Sequence, residues 1–224
     1  MSDELRLGEG IHTITMEAYQ ADPAPEPSLS AGIAKVLLNQ SPAHARLRHP
    51  RLNPDFQEEE SSRFDLGSAA HSLLLEGDGK MVIVDARDWR TNAAKEQRDE
   101  ARANGLFPLL AYQEREVQAM IKIARDFIAG SELTGIMDGG KPEQSLIWQE
   151  PNGIWCRGRL DWLNDNIILD YKTTVSAEPN SFGRLIVNMD YHVQAAMYQR
   201  GIYRLTGILP KFIFLVQEIE SPYA

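Results

Sequence analysis

The sequence predicts an α/β fold: a mixed central β-sheet with an antiparallel meander, flanked by helices and preceded by a mainly helical lobe. Residues 143–174 are rich in β-forming residues and contain turn residues such as Pro151-Asn152-Gly153, a pattern that predicts the meander. Residues 112–128 instead carry apolar residues at helical spacing, which predicts a core helix. The alternation over residues 211–220 predicts a buried strand, parallel to the core sheet through a helical crossover.

The chain has 224 residues, of which 43% are hydrophobic, enough to bury one sizeable core. We therefore expect a single domain over residues 28–224, divided into a mainly helical lobe at 28–140 and a catalytic core at 141–224. Three prolines interrupt residues 21–27 and disfavour a helix there. Residues 1–27 are accordingly predicted to be an N-terminal extension and linker.

Local signals place the remaining elements. Ser28 and Ser30 are candidate N-caps of a helix, and Pro179 and Gly183 are candidate helix breakers. Strands are predicted near residues 11–15 and 81–85. Helices are predicted at 31–38, from Pro42 onward, at 61–77 and at 191–205, with Phe64 on the inward side of the third of these. A charged helix or loop-helix is predicted at 87–103 and a mobile loop at 173–190.

Composition excludes several classes of protein. The single cysteine, Cys156, excludes an internal disulfide and a cysteine-ligated zinc or iron–sulfur site. No apolar run is long enough to cross a membrane and no basic-then-apolar leader opens the chain, so we expect a soluble cytoplasmic protein without a membrane partner. The net charge of −9 disfavours nucleic acid as a ligand. Residues 141–204, however, contain seven acidic and seven basic residues, so this part of the predicted catalytic core carries no net charge. Local charge, rather than net charge, governs a binding channel.

Three charged side chains converge in the last hairpin of the meander. If Asp165-Asn166 forms a two-residue loop, Asn164 lies opposite Ile167, and the same register brings Asp161 opposite Asp170. Lys172 then projects from the same face, because side chains alternate along a strand. A four-residue loop gives the same register, whereas a three-residue loop would separate the carboxylates.

Two carboxylates and a lysine in an apolar β-unit predict a metal-assisted reaction. Hard oxygen ligands with open coordination positions suit Mg²⁺, with Mn²⁺ as a substitute, and such ions promote displacement at phosphorus. Lys172 could orient or deprotonate the attacking water. The alternative is an exposed hairpin with a cross-strand ion pair, and the spacing of these three residues alone favours that alternative.

The segment LDWLNDNIILDYKTT resembles the core of the PD-(D/E)xK nuclease superfamily. Leu160-Asp161 corresponds to the PD pair, with leucine in place of a proline that is not a ligand, and Asp170-Tyr171-Lys172 corresponds to (D/E)xK. Four separated blocks are also similar to the C-terminal nuclease of the exonuclease VIII (RecE) family: LSAGIAKVLLNQSPAHARLRHP, FDLGSAAHSLLLEG, DWRTNAAKEQRDEA and the core through YHVQAAMYQRG. This resemblance implies a restriction-endonuclease-like core.

The resemblance also implies roles for individual residues. The implied metal ligands are the side chains of His71, Asp161 and Asp170 and the main-chain carbonyl of Tyr171. The implied catalytic residues are Lys172, Glu143 and Gln194, and the implied DNA-binding residues are Tyr198, Arg90, Lys95 and Arg98.

Three of these roles have structural alternatives. Without the resemblance, His71 is better explained as a packed core histidine and Glu143 equally well as an exposed strand end. The three basic residues could equally line a solvated helix face. His44 lacks a nearby acid or second histidine, so we expect it to have a packing or surface role.

The function implied by the resemblance is a Mg²⁺-dependent deoxyribonuclease, most specifically a 5′→3′ exonuclease that acts on linear double-stranded DNA in recombination or repair. The family further implies a ring-shaped homo-oligomer and a single-strand annealing protein as partner. Two alternatives stay open: an endonuclease or repair nuclease on the same core, and a catalytically silent DNA-binding protein derived from a nuclease.

Overall fold

A computed structural model of the chain describes residues 5–56, 66–77 and 80–224. In chain order its elements are β1 (Gly10–Thr13), α1 (Met16–Gln20), β2 (Leu29–Ser30), α2 (Ala31–Asn39), α3 (Pro42–Leu47), α4 (Leu66–Leu75), β3 (Met81–Val84), α5 (Asn92–Ala103), β4 (Phe107–Leu110), α6 (Ala111–Ala129), β5 (Lys141–Gln149), β6 (Trp155–Asn164), β7 (Ile167–Thr174), α7 (Pro179–Asn188), α8 (Tyr191–Thr206) and β8 (Lys211–Glu218).

The main sheet is mixed, as the sequence predicts. Its strand order is β1-β5-β6-β7-β8, and β2 pairs with β6 off this path. Neighbouring strands from β1 to β7 are antiparallel, whereas β2 is parallel to β6. The carbonyls of Asn166 and Thr174 accept hydrogen bonds from the amides of Lys211 and Ile219, so β8 runs parallel to β7. The predicted α/β class and the parallel last strand are therefore confirmed.

The chain divides into two compact units, and the first comprises residues 1–59, 139–170 and 178–214. Its core forms where α8 packs against β5 and β6. Even-numbered side chains of these two strands, such as Trp148 and Leu160, meet Tyr198 and Ile202 of α8, because alternate residues of a strand face the same side.

The second unit comprises residues 60–138, 171–177 and 215–224. Here α4 packs against α6, and β3 pairs with β4 in a parallel two-stranded sheet. The predicted core face of α6 is confirmed, since Val117, Met120, Ile121, Ala124 and Ile128 are all buried. Residues 61–65 of the predicted helix at 61–77, including Phe64, lie outside the described residues.

The predicted mobile loop at 173–190 is wrong, because residues 179–188 form α7. Pro179 occupies the first turn of this helix, where a residue without an N–H costs no intrahelical hydrogen bond. The Glu178 carboxylate accepts hydrogen bonds from the amides of Asn180 and Ser181 and thereby caps the helix. Pro179 therefore starts a helix, and Gly183 lies within it.

The first 27 residues take part in the main fold. Strand β1 pairs with β5, Gly10 lying opposite Ile147. Asp22, in the proline-rich stretch, is fully buried and accepts hydrogen bonds from the amide and hydroxyl of Ser28. The segment predicted to be an extension and linker thus contributes an edge strand and a buried carboxylate to the first unit.

Among the described residues, none of the helices is both long enough and apolar enough to cross a membrane.

Replacing Gly201 with alanine should destabilise the protein even though alanine favours helices. A Cβ at Gly201 would lie 2.8 Å from the Trp148 ring, and such overpacking costs about 1–3 kcal/mol. Gly183 is the matched control, since a Cβ there meets nothing within 4 Å and Gly183→Ala should raise stability by up to about 1 kcal/mol. Urea unfolding of both variants checks this pair; equal effects would contradict the packing of α8 on β5.

Candidate active site

A tight turn sets the register of the β6–β7 hairpin. Asp165 adopts a left-handed φ of 46°, which an aspartate tolerates in a two-residue loop. The strands pair Asn164 with Ile167 and Trp162 with Leu169. These pairs confirm the predicted two-residue loop and its register as far as Trp162 and Leu169. Asp161 and Asp170 are the next residues along the two strands.

The two aspartates lie where β7 stops pairing with β6. One edge of β6 pairs with β5 from Trp155 to Leu163. The opposite edge is shared: β7 pairs with residues 162–164, and β2 pairs with Cys156 and Arg157. Asp161 of β6 and Asp170 of β7 are the first residues beyond the last β6–β7 pair, at the point where these two strands stop pairing. We call this place the strand fork.

Asp170 is fully buried in the first unit. Helix α8 supplies a hydrogen bond to it, because Gln194 Nε2 donates to Asp170 Oδ1 over 2.9 Å. A buried carboxylate needs such donors or a positive charge, since burial otherwise disfavours its ionised form. Gln194, predicted to be catalytic, therefore helps to fix the orientation of Asp170.

Tyr198 lies one helical turn after Gln194, with its side chain buried. Its ring packs on Gly158, where an added Cβ would lie 2.9 Å away. Burial raises the pKa of the Tyr198 phenol well above its ordinary value, and the nearby charges of Asp161 and Asp170 raise that pKa further. Both aspartates therefore lie close to the Tyr198 side chain of α8. The burial of Tyr198 favours a packing role over the predicted contact with DNA.

Glu143 lies beside the strand fork in an unusual backbone conformation. Its φ is 53°, which is rare for a residue other than glycine. The register of β5 and β6 pairs Pro142 with Trp162 and Gln144 with Leu160, and these two pairs flank Glu143 and Asp161. Arg159 Nε lies 2.6 Å from Glu143 Oε2. Glu143, predicted to be catalytic, is thus held by an arginine of the neighbouring strand.

In the second unit, His71 lies beside Tyr171, the residue that follows Asp170 in β7. Their rings stack with centroids 6.1 Å apart. The Tyr171 hydroxyl donates to Gln217 Oε1 over 2.5 Å, and Gln217 Nε2 donates to the Met120 carbonyl. Burial raises the pKa of the Tyr171 phenol, so the phenol stays a donor and anchors β7 to β8 and α6.

Lys172 follows Tyr171 in β7 and is half-buried. The basic residues predicted to contact DNA belong to the segment around α5. Arg90 and Lys95 are exposed, Arg90 lying 3.6 Å from Asp88, and Arg98 donates to Asp99 over 2.8 Å. Acidic neighbours thus partly offset the positive charge of two of these three residues.

The donor atoms at the strand fork fit a hard divalent cation. The carboxylates of Asp161 and Asp170 supply the oxygen ligands that Mg²⁺ and Mn²⁺ prefer, and Mg²⁺ is commonly held by only one or two carboxylates with water completing its shell. Across residues 5–56, 66–77 and 80–224, no three or more His, Cys, Asp and Glu side chains form a metal-binding group. The fit therefore rests on Asp161 and Asp170.

Comparison with known families agrees with this geometry. A family model described as a PDDEXK-like domain of unknown function (DUF3799) matches residues 34–224. The chain belongs to the DUF3799 family. This confirms the predicted relationship to the PD-(D/E)xK superfamily, and membership of a PDDEXK-like family supports a nuclease.

A solved structure shares the fold of this DUF3799 domain. It is the crystal structure of a protein from Eubacterium rectale that is provisionally named an exonuclease, with a TM-score of 0.56 at 16% sequence identity. The match covers 94% of the present chain and 75% of the other. At this identity the comparison establishes the fold. No curated protein matches the chain significantly.

Two residues of the DUF3799 domain that hydrogen-bond predicted site residues were not identified from the sequence. Arg159 bonds Glu143, the Ser145 hydroxyl and the Ile14 carbonyl, and Gln217 anchors Tyr171. Arg159 precedes Asp161 by two residues in β6, and this alternation of charge along a buried strand is the signal that could have identified it.

Replacing Arg159 with methionine should destabilise the protein far more than the same change at Arg200. The Arg159 and Glu143 side chains are 10% and 18% exposed, and breaking a buried ion pair leaves an uncompensated charge at a cost of about 3–5 kcal/mol. Arg200 pairs with Glu150 but is 48% exposed, so Arg200→Met should cost no more than about 1 kcal/mol. Chemical denaturation measures both. Similar losses would mean that the Arg159 pair is no more buried in solution than the surface pair.

Proposed function

We propose that this chain is a Mg²⁺-dependent deoxyribonuclease, and more specifically a 5′→3′ exonuclease that hydrolyses linear double-stranded DNA in the cytoplasm during recombination or repair. The observation that carries the proposal is the strand fork. There Asp161 and Asp170 directly follow the last residues paired in the β6–β7 hairpin, and Gln194 donates a hydrogen bond to the buried Asp170.

The proposed roles follow from the chemistry of each group. Asp161 and Asp170 would hold the cation, with His71 and the Tyr171 carbonyl as further proposed ligands. A bound Mg²⁺ or Mn²⁺ supplies Lewis-acid polarisation of the scissile phosphate. Lys172, two residues after Asp170, orients the attacking water or accepts its proton. Glu143 would act beside the fork through the position that Arg159 imposes on it, and Arg90, Lys95 and Arg98 would contact DNA phosphates.

Support for an exonuclease comes from the four blocks that resemble the exonuclease VIII family and from the name of the E. rectale protein with the same fold. The same resemblance extends the proposal to a ring-shaped homo-oligomer and to a single-strand annealing protein as partner. Light scattering on the purified protein would measure the oligomer directly.

The experiment that tests the proposal follows the products of a 5′-labelled linear duplex in Mg²⁺, with and without EDTA. We expect the label to be released first as a mononucleotide, and no product in EDTA. Closed circular DNA in the same buffer should remain intact. Cutting of the circle would identify an endonuclease instead, and binding without cleavage in every metal would identify a catalytically silent protein.

Asp170→Asn should abolish most of the cleavage while leaving the fold intact, because it removes a charged ligand but keeps the shape that Gln194 contacts. Deleting one key electrostatic group in an active site costs roughly 10²–10³-fold in rate. Asp165→Asn is the matched control: it makes the same chemical change in the turn, where asparagine tolerates a left-handed φ, and it should retain activity. A folded Asp170→Asn protein with near-normal activity would remove Asp170 from the site.

Lys172 is proposed to handle the attacking water, so Lys172→Met should abolish turnover while metal and DNA binding persist. Lys172→Arg should not restore turnover, because a guanidinium stays protonated and directs its donors differently from an ammonium. Single-turnover cleavage in Mg²⁺ is measured beside DNA binding in Ca²⁺. A near wild-type rate for the arginine variant would show that Lys172 serves only as a positive charge.

A further inference from the structure

The first unit contains a cavity of about 270 Å³, and among the described residues its lining includes basic side chains and no acidic ones. A water molecule takes about 30 Å³ of liquid, so the space holds a phosphate group together with part of the molecule attached to it. This lining is unusual in a chain with a net charge of −9. It consists of Tyr19, Gln20, Ser30, Gly32, Ile33, Val36, Arg48, Pro50, Phe56 and Arg157.

Arg157 brings hydrogen-bond donors to this cavity. The residue is only 4% exposed. Its Nη1 donates to the Ser28 carbonyl and hydroxyl, both at 2.8 Å, and lies 3.2 Å from Asp22 Oδ1. Its Nε, by contrast, has no hydrogen-bond partner among the described residues. A buried guanidinium N–H without an acceptor is costly, so Arg157 is poised to bind an anion that reaches it through the cavity.

Two further features favour an anion. Arg48 lines the cavity from an exposed position, and its guanidinium forms no hydrogen bond or ion pair with any residue that the structure describes. Helix α2 begins at Ala31, and its second residue, Gly32, also lines the cavity. The first amides of a helix have no intrahelical acceptor and carry a partial positive charge, which is the arrangement that binds phosphate at helix N-termini.

The negative charge of Asp22, which lies beside Arg157, is already offset by its neighbours. Asp22, the carboxylate that contacts Arg157, is also approached by Arg51 Nη1 at 3.7 Å. Asp22 accepts two hydrogen bonds from Ser28 besides. Because Asp22 is paired with Arg51 as well as Arg157, the described lining keeps a positive charge from Arg48 and the start of α2.

We propose that this cavity is a binding site for a phosphomonoester, held by Arg157, Arg48 and the N-terminus of α2. A phosphomonoester carries about −1.5 to −2 charges at neutral pH and matches this set of donors better than a singly charged diester. The source of the phosphate rests on the proposed function: it is either the terminal phosphate of a DNA strand or that of a released mononucleotide. The binding itself is independent of cleavage.

Calorimetric titration of 2′-deoxyadenosine 5′-monophosphate into the full chain tests the proposal, with EDTA present so that a metal centre contributes nothing. We expect binding of the nucleotide and none of deoxyadenosine. Arg48→Gln should weaken binding roughly 10- to 100-fold, the loss expected for one charge-assisted hydrogen bond. Gly32→Leu should also weaken binding, because the added Cβ meets only Ser30 Oγ at 3.8 Å, so the helix is kept while cavity space is filled.

Arg46 provides the matched control, since it is an exposed arginine of α3 that does not line the cavity. Arg46→Gln should bind the nucleotide like the wild type. Three results would overturn the proposal: no binding at millimolar nucleotide, equal binding of deoxyadenosine, or equal weakening by Arg46→Gln and Arg48→Gln. Thermal unfolding of each variant confirms that it is folded.

A second titration in EDTA distinguishes the two sources of phosphate. A duplex with a 5′-phosphate is compared with the same duplex ending in a 5′-hydroxyl. A preference for the phosphorylated duplex that disappears in Arg48→Gln supports a strand terminus, and binding of the mononucleotide alone supports a product site. Failure of the proposed function would appear differently, as absent cleavage with nucleotide binding intact.

Discussion

The position of both carboxylates depends on a two-residue turn. Asp165 holds a left-handed φ, so the two strands of the hairpin are joined without an extra residue, and Asp161 and Asp170 both come directly after the last pair, Trp162 with Leu169. Because side chains alternate along a strand, a slip of one residue would turn one of the aspartates to the other face of the sheet. The register that the turn imposes is therefore the condition for any chemistry at the strand fork.

Burying the Asp170 carboxylate costs free energy, and this cost indicates that another group compensates its charge. Asp170 is fully buried, and an ionised carboxylate in the interior is costly even where hydrogen bonds such as that from Gln194 compensate part of the cost. A divalent cation would compensate the rest and would at the same time favour the ionised forms of both aspartates. The packing of α8 on the sheet, with Tyr198 against Gly158, keeps Gln194 in place to hold Asp170.

Local signals made much of the fold predictable. The Asp165-Asn166 turn, the apolar face of α6 and the serine cap of α2 each depend on residues close together in the sequence. Helix α7 was missed because Pro179 was taken as a breaker, although a proline in the first turn costs no hydrogen bond. The hairpin that carries the two aspartates could be predicted because its strands are joined by a single short turn.

Long-range contacts explain what the sequence did not reveal. Arg159 of β6 pairs with Glu143 of β5, and Arg157 of β6 pairs with Asp22 near the start of the chain. The alternation of charge in β6 could single out Arg159, but local spacing does not indicate the partner of either arginine. The burial of Tyr198 likewise depends on a residue distant in sequence, Gly158, whose missing side chain leaves room for the ring.

Anomalous diffraction from crystals soaked in Mn²⁺ tests the central claim most directly. The account predicts one ion about 2.0–2.4 Å from carboxylate oxygens of both Asp161 and Asp170, with a His71 ring nitrogen at a similar distance if that ligand is correct. An ion bound to the two aspartates without His71 would return the histidine to a packing role. Ordered carboxylates with no anomalous peak between them at saturating Mn²⁺ would contradict a metal-dependent site at the strand fork.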